Sequence, residues 1–230
     1  MECSNVFIRH KRIGRMSCRC HYYYSVPIGH NSYFRLVCKQ YVSNRTTGEA
    51  SPLPFTCGFF SCSIWLLYGL TKEDGNMILV NVVGVVFMVA YTIVFYLYTF
   101  KKSVVLRQAY ITVGCCMFMI WYVNIEEDSE VLLNRLGLLA CSLTLLTVAS
   151  PMSKLLYVIR TRSTECLPFP IILMSFIVMS LWFFYGLIEE DMYLTIPNFI
   201  GASLALAQLS LFVIYPSKPT SPLLVKSLLA

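Results

Sequence analysis

Charge is scarce in this sequence. Of its 230 residues, 13% are Asp, Glu, Lys or Arg and 57% are hydrophobic, whereas soluble domains average about 25% charged and about 45–50% apolar residues. So few charges among so many apolar residues exclude a disordered chain and argue against an ordinary soluble globule.

Motifs that mark enzymes are missing as well. The sequence contains no Walker loop, no glycine-rich nucleotide motif, no metalloprotease helix and no paired carboxylates inside an apolar run. Ten cysteines are present, but Cys18, Cys20 and Cys38 do not have the spacing of a zinc site. We therefore expect a protein that is not an enzyme and that uses no metal, no cofactor and no nucleic-acid partner.

What the sequence does have is long uncharged runs. Six of them contain at least 18 residues, at 50–71, 75–100, 108–125, 136–153, 166–188 and 192–217. A helix needs about 20 mostly apolar residues to cross a membrane. Because the runs are continuously apolar rather than alternating, they favour helices over barrel strands. The sequence predicts an all-α integral membrane protein with six clear transmembrane helices.

Basic residues between the runs predict the orientation of these helices. Lys and Arg occur at 101–107, at 154–162 and after residue 217, whereas the alternate loops, at 73–74, 126–130 and 189–191, are acidic. Since Lys and Arg concentrate on the cytoplasmic side, we expect a cytoplasmic C-terminus. As a separate expectation, the protein resides in the plasma membrane or the Golgi membrane.

An internal repeat with an offset of 117 residues organises the same helices. The offset pairs Trp65 with Trp182 and Asn81 with Asn198. Further pairs are Tyr68 and Tyr185, Gly69 and Gly186, Asp74 and Asp191, and Gly84 and Gly201. So many identities at one offset indicate a duplication, which predicts two parallel three-helix repeats joined by a linker helix. Two such halves usually form transporters with a site between them near the midplane of the membrane.

The N-terminus departs from this plan. Subtracting 117 from the fourth run puts the first helix at 19–36, yet Arg19 and Arg35 flank that stretch. Residues 1–50 hold eight basic and two acidic residues, which accounts for the whole net charge of +6. An arginine at the bilayer centre costs at least about 2.5–3.5 kcal/mol. We interpret 1–38 as an atypical basic segment, a divergent, alternatively spliced or mistranslated replacement of the first transmembrane helix.

The other predicted segments are 39–100 for the two remaining helices of the first repeat, 104–125 for the linker helix, 131–217 for the second repeat and 218–230 for a cytoplasmic tail.

Four strings also carry a family resemblance. They are TGEASPLPF at 47–55, CSIWLLYGL at 62–70, VNVVG at 80–84 and IPNFIG at 196–201. They resemble the SWEET sugar transporters, particularly the animal branch, and the resemblance covers about residues 39–217. It implies a seven-helix uniporter that passes mono- and disaccharides, glucose-like monosaccharides foremost, by alternating access without ion coupling or ATP. It also implies homo- or hetero-oligomers.

Asn81 and Asn198 are the first candidates for substrate binding. A buried amide must satisfy both donors and acceptors, and polar groups within a membrane span tend to be functional. A symmetric pair facing one cavity would bind sugar hydroxyls, whereas the alternative is a hydrogen bond between helices.

Trp65 and Trp182 each lie 16 residues before an asparagine, across a short turn, and either stack on a sugar or anchor the helices at the interface. The resemblance implies that both asparagines and Trp182 line the sugar pocket.

Three further candidates rest on the resemblance. Ser61, Val178 and Leu146 match positions that set the width of the pocket in this family, and their alternative role is helix packing. Ser61 and Val178 lie one helical turn before a tryptophan, and Leu146 lies five residues before Pro151.

Prolines are the candidates for hinges, because a proline removes a backbone hydrogen bond and kinks a helix. Pro54, Pro151 and Pro168 match three of the four prolines that the resemblance implies as hinges. Phe34 occupies the fourth position.

Residues around the acidic turns are the candidates for an outer gate. Gly69 and Gly186 permit a close approach of helices near the outer mouth. Tyr68, Tyr185 and Asp191 would close the mouth, the alternative being interface tyrosines and a solvated loop acid.

Two other functions remain open at this point. An incomplete first repeat would suit a non-transporting scaffold or partner subunit that associates with an intact paralogue. An amino-acid exporter of the related PQ-loop group is disfavoured, because its Pro-Gln dipeptides are missing.

Overall fold

The computed structural model describes residues 31–48, 50–164 and 167–215. Most of the basic segment expected at 1–38, including Arg19, and the tail expected at 218–230 lie outside the described residues. Within these ranges the chain forms seven α-helices, which are α1 (Asn31–Asn44), α2 (Leu53–Lys72), α3 (Gly75–Tyr98), α4 (Lys102–Ile125), α5 (Ser129–Thr161), α6 (Phe169–Ile188) and α7 (Met192–Ile214).

Six of these helices, α2 to α7, are long and apolar enough to cross a membrane, which confirms the six expected transmembrane helices. The remaining helix, α1, has 14 residues. The 117-residue offset aligns α1 with the last part of α5, and the two helices end at equivalent residues, Asn44 and Thr161. Arg45 and Arg162, which follow them, both have a φ of 50°. The duplication therefore extends to the end of the first helix of each repeat.

Aspartates begin the third helix of each repeat. Asp74 precedes α3 and Asp191 precedes α7, and each carboxylate accepts a hydrogen bond from the backbone N–H three residues further on, at 3.0 Å and 3.1 Å. This is the hydrogen bond of a helix N-cap. The backbone N–H groups of the same two aspartates donate to the carbonyl oxygens of Gly69 and Gly186, at 2.9 Å and 2.8 Å. Both repeats thus reverse direction through the same tight turn.

The helices of the two repeats pack in the same order. In each repeat the second helix packs on the third, as α2 on α3 and α6 on α7, and the first also packs on the third, as α1 on α3 and α5 on α7. The repeats meet along α2 and α5, and the linker helix α4 packs mainly on α2. Only Val105 and Cys116 are buried in α4, so most of its apolar residues are exposed or half-buried.

Buried apolar clusters distinguish the two ends of the molecule. We call the end with the α2–α3, α4–α5 and α6–α7 connections the turn end. There, one cluster joins the repeats and includes Ile64 and Tyr68 from α2 with Leu136 from α5. At the opposite end, the cluster around Phe55 belongs to the first repeat with α4, and the cluster around Ile172 belongs to the second repeat. Among the described residues, the repeats thus share a core at the turn end and have separate cores at the opposite end.

Candidate functional site: a central cavity and its gate

A cavity lies between the two repeats. Its walls come from α2 and α3 of the first repeat and from α5, α6 and α7 of the second. The lining residues are Ser61, Cys62, Trp65, Met77, Asn81, Thr144, Thr147, Val178, Met179, Trp182, Leu194 and Asn198.

The two asparagines occupy matching positions in this cavity. Asn81 and Asn198 are 4% and 8% exposed. The Nδ2 of Asn81 donates to the Met77 carbonyl oxygen at 2.9 Å, and the Nδ2 of Asn198 donates to the Leu194 carbonyl oxygen at 2.8 Å. In the described part of the chain, each amide makes this one hydrogen bond, which holds the side chain against its own helix. The oxygen and the second N–H of each amide are left for a ligand in the cavity.

The two tryptophans line the same cavity in different bonding states. Trp65 donates from Nε1 to Thr144 Oγ1 at 3.1 Å, which ties α2 of the first repeat to α5 of the second. Trp182 packs edge-on against Tyr185, with ring centroids 5.6 Å apart, and its Nε1 makes no hydrogen bond within the described residues. Both side chains therefore line the cavity.

Two tyrosine–aspartate bonds cross between the repeats at the turn end. Tyr68 Oη donates to Asp191 Oδ2 at 2.7 Å, and Tyr185 Oη lies 2.8 Å from both carboxylate oxygens of Asp74. The two tyrosines are mates at the 117-residue offset, and so are the two aspartates. The tyrosine of each repeat therefore binds the aspartate of the other repeat. Asp74 was absent from the sequence-based candidates, although it is the repeat mate of Asp191. These bonds join the two repeats at the turn end.

The neighbours of the two aspartates are not equivalent. Lys72 Nζ lies 2.8 Å from Asp191 Oδ2, and the Asp191 side chain is 1% exposed. The repeat mate of Lys72 is Glu189. On the Asp74 side, Tyr185 instead receives a long hydrogen bond of 3.4 Å from Asn76 Nδ2. Among the described residues, a cation therefore pairs with the aspartate of one half, Asp191, and not with Asp74.

Glycines lie where the two helices of each hairpin approach closely. A Cβ on Gly186 would lie 2.7 Å from Thr195 Oγ1 and 3.0 Å from the Thr195 backbone nitrogen. A Cβ on Gly69 would lie 3.2 Å from the Cβ of Met77. All three distances are shorter than ordinary contacts, so the two helices of each hairpin approach closely at the glycine.

Comparisons with known proteins agree with this architecture. Residues 36–103 and 134–220 match the family model described as sugar efflux transporter for intercellular exchange. The chain is 37% identical over 188 residues to the sugar transporter SWEET1 of Drosophila pseudoobscura pseudoobscura, over 81% of this chain and 83% of that relative. It is 28% identical over 181 residues to the bidirectional sugar transporter SWEET7 of Arabidopsis thaliana, over 76% of this chain and 70% of that relative.

The chain belongs to the SWEET family of sugar transporters. A solved eukaryotic SWEET transporter shares the fold, with a TM-score of 0.74, 24% identity and coverage of 88% of this chain and 98% of that one. The family resemblance and the architecture of two parallel three-helix repeats with a linker helix are thereby confirmed. The expectation of a transporter rather than an enzyme is confirmed as well, because the relatives are named sugar transporters.

One expected pocket residue of this SWEET protein lies elsewhere. Leu146 is 71% exposed and does not line the cavity, whereas the next residue, Thr147, does. Successive residues of a helix point about 100° apart, so an error of one position turns a side chain from the cavity to the lipid. Ser61 and Val178 line the cavity where the sequence suggested.

Sequence reasoning also missed both threonines of α5. Thr144 and Thr147 are three residues apart and therefore share a helix face. Two hydroxyls on one face inside the run at 136–153 were the available signal, because polar groups within a membrane span tend to be functional.

The prolines of this SWEET protein do not all lie where kinks form. Pro54 is the second residue of α2, and Pro168 immediately precedes α6. Neither position carries a backbone hydrogen bond that proline would break, so the expectation of helix kinks there is wrong. Pro151 lies inside α5. Pro197, which the sequence reasoning did not select as a hinge, lies inside α7 next to Asn198.

Proposed function

We propose that this SWEET protein is a facilitative, uncoupled and bidirectional sugar uniporter that works by alternating access between its two repeats. The observation that supports this most is the cavity between the repeats, which contains the Asn81 and Asn198 pair and is closed at one end. A binding site at a repeat interface is the arrangement that alternating access uses. The Arabidopsis relative is named a bidirectional transporter, which supports reversible movement.

A glucose-like monosaccharide suits the groups in this cavity. Sugar hydroxyls both donate and accept, and each free amide edge of Asn81 and Asn198 offers one donor and one acceptor. The Trp182 ring offers an apolar face to the C–H groups of a sugar ring. Ser61, Thr144 and Thr147 add hydroxyl groups to the lining of the same cavity.

We infer that the turn end is the outer end of the transporter. The connections at the opposite end carry Lys101, Lys102, Arg107 and Arg160, and basic loops remain cytoplasmic. The shared core at the turn end and the two Tyr–Asp bonds then hold the outer mouth shut, while the separate cores at the opposite end leave the inner ends of the repeats independent. The described arrangement corresponds to a transporter closed to the outside, in the plasma membrane or the Golgi membrane.

Opening to the outside would break the Tyr68–Asp191 and Tyr185–Asp74 bonds together. Each bond joins one repeat to the other, so both bonds would break in a rotation that separates the two repeats at the turn end. We propose that the four side chains, with Lys72, form the outer gate.

The test is sugar flux by the purified full chain in liposomes. We expect uptake of labelled glucose without any ion gradient, and acceleration by unlabelled glucose on the opposite side. Asn198→Ala removes hydrogen bonds worth about 1–3 kcal/mol, so we expect it to lower flux about ten- to a hundredfold.

Asn124→Ala is the matched control. Asn124 makes the same kind of bond to its own helix, from Nδ2 to the Ile120 carbonyl oxygen at 2.7 Å, but lies on the exposed side of α4 outside the cavity. Flux that survives Asn198→Ala as well as it survives Asn124→Ala would show that the site assignment is wrong. Absence of flux by the parent chain alone would contradict the uniporter and favour a partner subunit.

A further inference from the structure

Two sulfur side chains sit against glycines on either side of the cavity. Cys62 and Met179 both line the cavity, and they are mates at the 117-residue offset, as are Gly84 and Gly201. A Cβ on Gly84 would lie 2.9 Å from Cys62 Sγ. A Cβ on Gly201 would overlap Met179 Sδ and lie 3.1 Å from its Cε. In both repeats, the missing side chain of the glycine is what makes room for the sulfur.

These pairs form a separate layer of the cavity. Gly84 and Gly201 lie three residues after Asn81 and Asn198, on the side away from the turn end. The sulfur residues correspondingly lie three residues before the two tryptophans. Three residues of a helix, a rise of about 4.5 Å, therefore separate the sulfur layer from the amide and indole groups. A sugar held at the amides would have this layer between itself and the inner end.

The two sides of the layer differ in size. Met179 carries a longer and more flexible side chain than Cys62, and methionine adapts its shape to the space available. Val148 Cγ2 lies 3.3 Å from the position of a Cβ on Gly201. Gly201 is therefore enclosed by both α5 and Met179, and Met179, which lines the cavity, is the longer of the two sulfur side chains.

We propose that Cys62–Gly84 and Met179–Gly201 are specificity-determining pairs that set the size of the sugar accepted, with Met179 as the narrowing side. The inference rests on the proposed function and adds to it residues that neither hydrogen-bond the sugar nor belong to the gate. A glycine in each pair lets the sulfur withdraw between the helices, and the length of the sulfur side chain decides how much of the cavity stays open.

The experiment compares the fluxes of a labelled disaccharide and labelled glucose in the same liposomes. Met179→Cys makes the two sides equal and removes a methylene and a methyl group, which widens the layer. A single methylene in a pocket discriminates at least about tenfold, so we expect the ratio of disaccharide to glucose flux to rise by at least about that factor. Gly201→Ala pushes the thioether into the cavity, and we expect the same ratio to fall. Gly84→Ala should also lower the ratio of disaccharide to glucose flux, because the added Cβ would displace the Cys62 sulfur.

Gly58→Ala is the matched control for packing strain. A Cβ on Gly58 would lie 2.8 Å from Met88 Sδ, a similar glycine–sulfur contact in the first repeat, but Met88 does not line the cavity. We expect Gly58→Ala to change thermal stability without changing the flux ratio. A ratio that stays constant in Met179→Cys and Gly201→Ala, or that moves equally in Gly58→Ala, would overturn the inference alone. Absence of glucose flux by the parent chain would instead overturn the proposed function on which it rests.

Discussion

Asp191 and Asp74 are repeat mates in unequal surroundings. Asp191 accepts a hydrogen bond from Tyr68 and pairs with Lys72, so its buried charge is compensated. Asp74 accepts from Tyr185, and its half of the gate has Glu189 where the other half has Lys72. Breaking a buried ion pair is expensive because it leaves an uncompensated charge. The two halves of the gate therefore hold with different strength.

This asymmetry predicts different effects for the same substitution. Asparagine caps a helix as well as aspartate does, so Asp191→Asn and Asp74→Asn keep the N-caps of α7 and α3. We expect Asp191→Asn to open the gate more, because it removes the ion pair with Lys72 as well as a charge-assisted hydrogen bond. Hydrogen–deuterium exchange of the two turns, in protein held in lipid, measures the opening.

Glu190→Gln is the control for this comparison, because Glu190 is an exposed acid of the same turn. Equal exchange in Asp191→Asn and Asp74→Asn would show that Lys72 adds nothing to the closure. A rise in Glu190→Gln as large as in Asp191→Asn would show that any loss of charge loosens the turn.

At the scale of the elements, the hairpins α2–α3 and α6–α7 depend on their glycines to different degrees. A Cβ on Gly186 would lie 2.7 Å from Thr195 Oγ1 and 3.0 Å from the Thr195 backbone nitrogen, whereas the nearest atoms to a Cβ on Gly69, the Cβ and Cγ of Met77, lie 3.2 Å away. Overpacking of this kind costs about 1–3 kcal/mol. We expect Gly186→Ala to lower the melting temperature of the detergent-solubilised protein more than Gly69→Ala does.

Gly114→Ala provides the reference for this prediction. Gly114 lies inside α4 with no atom within 4 Å of a Cβ, and alanine favours a helix over glycine. The melting temperature of Gly114→Ala should be unchanged or slightly higher. If Gly186→Ala behaves like Gly114→Ala, the close approach of α6 and α7 is not needed for stability.

The elements themselves were largely predictable from the sequence, and their ends were not. Runs of uncharged residues located α2 to α7 because spanning a membrane demands length and apolarity of a single segment. The exact starts of α2 and α6 decide whether Pro54 and Pro168 kink a helix or simply precede one. Those starts depend on a difference of one or two residues, which composition does not resolve.

For the whole molecule, the proposed alternating access would require the shared core and the proposed gate at the turn end to open together. Adding a cation at position 189 would give the Asp74 half of the gate the partner that Lys72 gives the Asp191 half. We expect Glu189→Lys to slow glucose exchange in liposomes by up to about fivefold, the effect of an exposed ion pair of about 0.2–1 kcal/mol. The effect should shrink in high salt, because an exposed pair is screened.

Glu190→Lys introduces the same change of charge at the neighbouring residue and should leave exchange near that of the parent. If both variants slow exchange equally, net charge at the mouth, rather than pairing with Asp74, controls the rate. Faster exchange in Glu189→Lys would contradict a closing role for Asp74.

The sequence by itself determined the membrane helices, the duplication, the family and the Asn81–Asn198 pair. These features follow from local composition and from a constant sequence offset, and neither requires knowledge of how the helices pack. Only the tertiary structure decided which face of α5 lines the cavity, so that Thr147 replaces Leu146, and which tyrosine meets which aspartate across the repeats. It alone also brought Met179 against Gly201. Each of these depends on the rotation and separation of helices, where 100° about an axis or a fraction of an ångström between two atoms changes the outcome.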